Sequence, residues 1–104
     1  MSEIKNLNYK IESMENHIKS IILANSEALF GMKIEENTIQ FQKTRKDVEG
    51  DLTLVIFPFV KLLRTSPVEA GAKIGEFIKE KVSEIAQFEV IGGFLNFSFS
   101  ERNP

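Results

Sequence analysis

The chain holds no cysteine and a single histidine, His17. A disulfide framework and thiolate metal sites are therefore excluded. A zinc site would have to be built from carboxylates, and none of these cluster at ligand spacing. No apolar run approaches the roughly 20 residues of a membrane span, and the polar N-terminus lacks a signal-peptide pattern. Cytoplasmic residence is the expectation. There is no P-loop, no G-x-G-x-x-G, no nucleophile elbow and no H-E-x-x-H. His17 falls on the polar border of a helical pattern and reads as a surface residue. Glu35 and Glu36 read as solvated loop, and Glu76, Glu80 and Glu84 as a solvated ladder offset by Lys79 and Lys81. The expectation is a domain without catalysis, metal, cofactor or membrane contact. Strong positive charge is missing too: 13 Lys and Arg stand against 15 Asp and Glu, a net charge of −2. That opposes a protein that wraps phosphate indiscriminately, but leaves room for a small site reading unpaired bases.

What is present suits one small domain. The 104 residues are 42% apolar and 27% charged, enough for a single modest core. Ile4, Leu7, Ile11, Met14, Ile18, Ile21 and Ile22 recur at three- and four-residue steps, the seam of an amphipathic helix from Glu3 to about Phe30. Residues 1–10 are expected to fray in part, Asn6 and Asn25 weaken the helix, and Gly31 stops it. The seam reads as packing on its own domain, and the chain as a monomer, rather than as a coiled-coil dimer. Thr38 to Gln42 alternates as a strand with Ile39 and Phe41 inward and Gln40 and Gln42 outward. After a polar loop, Leu52 to Phe57 reads as an interior strand that Pro58 ends, with a helical pattern following to Arg64.

Ser66-Pro67-Val68-Glu69 is a helix start: Ser66 accepts from a free backbone N–H, Pro67 has none to lose, and Glu69 completes a capping box. This helix runs through Ile74, Phe77 and Ile78 towards Val82, and Gly71 and Gly75, one turn apart, either let another element approach closely or are simply small. Phe88 to Ile91 and Phe94 to Ser100 are strands joined by a tight Gly92-Gly93 turn, with residues 101–104 as a tail. The order is α-β-β-α-α-β-β, an α+β fold with a small antiparallel sheet and its helices on one face.

The last strand carries the most pointed signal. At a two-residue period Leu95, Phe97 and Phe99 fall on an apolar face, and Phe94, Asn96, Ser98 and Ser100 on a polar one. An aromatic on a polar sheet face beside an amide has the parts to stack on a nucleobase and read its edge. It serves equally as a rim residue covered by a loop. If the two strand pairs join one sheet, Gln40 and Gln42 share that face. Lys43, Arg45 and Lys46 in the hairpin loop and Lys61 and Arg64 beyond the next strand either hold backbone phosphate or simply keep these loops solvated, the plainer reading of each alone.

Gly50-Asp51, Val60-Lys61, the helix-opening Pro67 and the terminal Gly92-Gly93-Phe94-Leu95-Asn96, in this order and spacing, resemble the N-terminal appended domain of arginyl-tRNA synthetases. The segment from Ile39 to Phe59 is similar to one bacterial branch in particular, and the likeness runs from about residue 11 to residue 100. The resemblance implies a domain that contacts the tRNA(Arg) D-loop, where unpaired bases are exposed, with Phe94 and Asn96 at the family's contact positions and Gly92-Gly93 at the turn beside them. The family's Ala-Gly-Pro-Gly turn is shortened here to Ile91-Gly92-Gly93, and its Ala-Lys is Val60-Lys61. The resemblance also implies that ATP and arginine bind a catalytic domain absent from this chain, whose two-histidine motif one histidine cannot supply. The chain then reads as an N-terminal piece of a synthetase whose partners are tRNA(Arg) and the remainder of that enzyme. Two other readings stand beside it. One is a free-standing single-strand RNA binder, since Gly93-Phe94-x-x-Phe97-x-Phe99 faintly echoes an RRM strand. The other is a protein-interaction module using the first helix.

Overall fold

The computed structural model describes residues 3–44 and 50–100, with side chains from residue 11 onward. Helix α1 spans Glu3–Ala24, α2 Ser26–Phe30, and a single 3₁₀ turn Glu36–Thr38 leads into strand β1, Phe41–Gln42. Strand β2 (Leu52–Val55) is followed by α3 (Phe57–Leu63) and α4 (Pro67–Lys81), then by the hairpin of β3 (Ile85–Ile91) and β4 (Phe94–Phe99). The four strands form one antiparallel sheet in the order β1-β2-β4-β3. The helices cover one face of it, so this is the α+β arrangement that the pattern of the chain predicts.

The first helical segment is two helices rather than one. Asn25 turns its side-chain amide back to donate to the Ile21 carbonyl at 2.8 Å, and its own N–H is shared between the carbonyls of Ile21 and Ile22. A side chain that competes for backbone partners in this way interrupts a helix. Gly31 then ends α2 at φ 79°, its N–H donating to the Glu27 carbonyl as a left-handed cap does.

Strand β1 is shorter than the alternation from Thr38 predicts. Thr38 and Ile39 donate to the carbonyls of Glu35 and Glu36, so the start of the segment closes a 3₁₀ turn instead of pairing. The alternation survives in burial: Ile39 is core, while Gln40 and Gln42 are exposed. The Val55 N–H also donates to the Gln40 carbonyl at 2.8 Å, which carries the ladder one residue beyond β1.

Strand β2 ends before Phe57. Ile56 already has helical backbone angles (φ −93°, ψ −20°), and Pro58 sits in the first turn of α3, where its missing N–H costs nothing. The last two strands begin and end within a few residues of their predicted limits, with β3 extended back to Ile85 through a bulge.

The core lies between the helices and the inner sheet face. Ile18, Ile22, Leu54, Ile56, Phe59, Ile74, Ile78, Leu95 and Phe97 are fully buried in it. Phe30 stacks on Phe59 with ring centroids 5.1 Å apart and tethers α2 to α3. Ser66 accepts from the Glu69 N–H at 3.2 Å, the cap its sequence predicts.

The two glycines of α4 are sites of close approach. A Cβ at Gly71 would come within 2.6 Å of Val90 Cγ2, and one at Gly75 within 2.6 Å of the Phe88 ring, so α4 rests directly on β3. In a free helix Gly71→Ala would be stabilising by about 1 kcal/mol. Here the new methyl meets a branched side chain standing on a strand, and overpacking of this kind costs about 1–3 kcal/mol. The expected result is a lower urea midpoint for Gly71→Ala, and a raised midpoint would contradict the close packing.

Candidate functional site

The strand register decides what the open face of the sheet presents. Across it, Gln42 pairs with Thr53, Thr53 with Asn96, and Asn96 with Glu89. Directly opposed residues on paired strands point the same way. One row is therefore Gln42, Thr53, Asn96 and Glu89, and the next is Val55, Phe94 and Ile91, with Gln40 at its β1 end. The structure thus gathers Gln40, Gln42, Phe94, Asn96 and Ser98 on the face away from the core.

Phe94 and Asn96 sit in different surroundings. Phe94 is half-buried, and its ring meets the Phe57 ring edge-on at 6.1 Å and 79°. Phe57, 55% exposed, lies over the turn, where a Cβ on Gly93 would collide with its ring. Gly93 is thus the absence of side chain that seats this ring. Gly92 projects into open space at φ 59°, a positive angle that a two-residue hairpin turn favours at its first central residue. Sequence reasoning missed Phe57 because it closes an apolar run and reads as the end of a strand; the Pro after it is the signal that a helix begins there.

Asn96 has the orientation expected of it but not the exposure, being only 4% accessible. Thr53, itself 2% exposed, donates its hydroxyl proton to Asn96 Oδ1 at 2.6 Å. The Thr53 oxygen in turn lies 2.8 Å from Thr44 Oγ1. Gly50 follows at φ 141°, where a Cβ would come within 3.2 Å of Asn96 Cβ. The two ends of the β1–β2 loop therefore fold onto this part of the face. Asp51 fastens the same corner: its N–H donates to the Phe97 carbonyl at 2.7 Å and its carboxylate accepts from the Phe99 N–H at 2.9 Å. The Gly50-Asp51 pair is thus a folding device, one residue giving close approach and the other a strand clasp.

Charge is unevenly placed. Lys43 is exposed at the β1 edge, while Glu89 is exposed on β3 beside Asn96. Lys61 is exposed one helical turn beyond Phe57, and both line an open apolar groove of about 660 Å³ shared with Met32, Lys33, Ile34 and Leu62. Arg45 and Lys46 lie outside the described residues. Among the described residues no group of three or more His, Cys, Asp or Glu is placed to hold a metal ion, and no helix is long and apolar enough to cross a membrane. His17 is exposed on α1. The arrangement suits stacking and hydrogen bonding rather than bond making.

Comparison with known proteins identifies the family. Residues 13–99 match the family described as the arginyl tRNA synthetase N terminal domain. The chain is 39% identical over 87 residues to the arginine–tRNA ligase of Bacteroides thetaiotaomicron, covering 84% of this chain and 15% of that one. It is 38% identical over 92 residues to the ligase of Porphyromonas gingivalis, covering 88% and 15%. The arginyl-tRNA synthetase structure of Thermus thermophilus superposes on 86% of this chain and 14% of that one, with a TM-score of 0.58 at 21% identity, a likeness of fold.

Proposed function

The chain belongs to the arginyl-tRNA synthetase N-terminal domain family, and from that premise we propose that it binds the D-loop of tRNA(Arg) on the open face of its sheet as the recognition domain of an arginine–tRNA ligase. The observation that carries this reading is the pair Phe94 and Phe57, two rings held edge to face at the rim of a polar sheet face. An unpaired base stacks on Phe94, and every base has a π-face to offer. Asn96 contributes a hydrogen bond from beneath, with Gln40 and Gln42 beside it on the same face. The exposed Gly92 lets the RNA strand pass close to the turn, while Gly93 acts through the ring it seats.

The acid on β3 sets the direction of the strand. Glu89 repels phosphate, so the backbone runs over the opposite side, towards Lys43 and Lys61, and Arg45 and Lys46 are taken as further phosphate contacts. Attachment of an amino acid to tRNA belongs to the much longer relatives, of which this chain spans about one seventh. Its own contribution is to hold the tRNA at a point remote from that chemistry and so raise the effective concentration of the rest.

The test is the affinity of the 104-residue chain for tRNA(Arg) transcripts with native and replaced D-loops. The native loop should bind at least about fivefold more tightly, the lower end of what one stacked base contributes. With four basic side chains on phosphate, log K should fall with log salt at a slope of about −3. Equal affinity for both transcripts would remove the D-loop assignment.

A further inference from the structure

Asn96 is held by a chain of hydroxyls whose direction can be read. The Thr53–Asn96 separation of 2.6 Å is that of an O–H···O bond, shorter than the usual N–H···O length. In the structure Thr53 donates to Asn96 Oδ1. A hydroxyl has one proton, so the 2.8 Å bond between Thr44 and Thr53 must run from Thr44. The sequence of donors is Thr44 to Thr53 to Asn96, and the carbonyl oxygen of the amide is used within the protein. We propose that Thr53, with Thr44 behind it, is a positioning residue that turns the Asn96 amide so that its oxygen faces Thr53 and its N–H donor faces the base, making the site a reader of an acceptor on the base edge. With Asn96 only 4% exposed and packed beside Gly50, the Thr53 hydrogen bond decides which end of its amide faces the base. Preorganisation of this kind is what separates recognition from mere contact.

This inference rests on the D-loop reading, and its test is built so that the two fail differently. Abasic scanning of the D-loop in tRNA(Arg) first locates the base whose loss weakens binding most. At that position, base analogues lacking one ring-nitrogen or carbonyl acceptor at a time are compared with analogues lacking an exocyclic amino group. With the native chain, one acceptor deletion should cost about tenfold, and amino deletion less than about twofold, the difference between losing a hydrogen bond and losing none. Thr53→Ser should preserve that pattern. Thr53→Val should shrink the acceptor penalty below about twofold while the abasic penalty, set by stacking, persists.

Thr44→Val gives a second readout at the half-buried outer end of the relay, where a fold defect is less at issue. Without the Thr44 hydroxyl the Thr53 proton is still donated to Asn96 Oδ1 and has lost the other side-chain oxygen it could turn to, so the amide keeps its orientation and the full acceptor penalty should remain. A shrunken penalty in Thr53→Val and a full one in Thr44→Val support the relay. A full acceptor penalty in a folded Thr53→Val variant overturns it, as does a lost penalty in Thr44→Val, or an amino-deletion cost equal to the acceptor cost in the native chain. No preference for any D-loop by the native chain would instead overturn the D-loop reading and the relay's role with it.

Discussion

Phe97→Ala is expected to destabilise the domain by about 3–5 kcal/mol and to lower its urea midpoint accordingly. Phe97 is fully buried at the middle of β4, where it faces Leu52 of β2 on one side and Phe88 of β3 on the other. Truncating a buried phenylalanine to alanine costs about 3–5 kcal/mol, the lost transfer energy plus the cavity left behind. A domain of this length has in all about 5–15 kcal/mol of stability. One side chain thus accounts for a large part of what holds the sheet to its helices, because β4 is the strand that joins β2 to β3. Urea unfolding followed by circular dichroism provides the check. A midpoint within error of the native chain would contradict the core assignment.

Phe94→Ala is expected to weaken tRNA(Arg) binding by about 5- to 150-fold, the equivalent of about 1–3 kcal/mol for a stacked base. The fold should be little disturbed. The Phe94 ring is half-buried at the rim, and its edge contact with Phe57 is of a kind worth about 0.5–1.5 kcal/mol beyond the area buried. Phe94→Leu separates the two effects: it keeps most of the apolar contact but offers no π-face, so stability should recover while affinity does not. Filter binding or fluorescence anisotropy on the folded variants reads the difference. An alanine variant that binds as well as the native chain would show that no base stacks there.

Much of this was open to sequence reasoning because local rules were obeyed. The cap at Ser66, the stop at Gly31 and the turn at Gly92 each follow from the chemistry of one or two residues. The inward set Leu95, Phe97 and Phe99 follows from strand period alone, and all three are buried. The approach of α4 to β3 was readable as one of two meanings of Gly71 and Gly75, and packing selected the closer one.

What stayed hidden depended on partners far along the chain. Strand period puts Asn96 on the open face but says nothing of the loop ends at Thr44 and Gly50 that return to cover it. Thr53 looked like an ordinary residue of an interior strand, yet its hydroxyl links that loop to Asn96. Phe57 reads as part of a strand because apolar runs do not announce where pairing stops; the helical angles of Ile56 do. At Asn25 the break in the long helix turns on one side-chain amide finding a carbonyl one turn back.

The most direct test of the central claim is an NMR titration of the isotopically labelled 104-residue chain with a D-arm hairpin of tRNA(Arg). If the open sheet face is the interface, shifts will gather at Gln40, Gln42, Phe57, Lys61, Phe94 and Asn96, and the exposed helical residues Glu76, Glu80 and His17 will stay still. Shifts centred on α1 or α4, with the β4 residues unmoved, would contradict it.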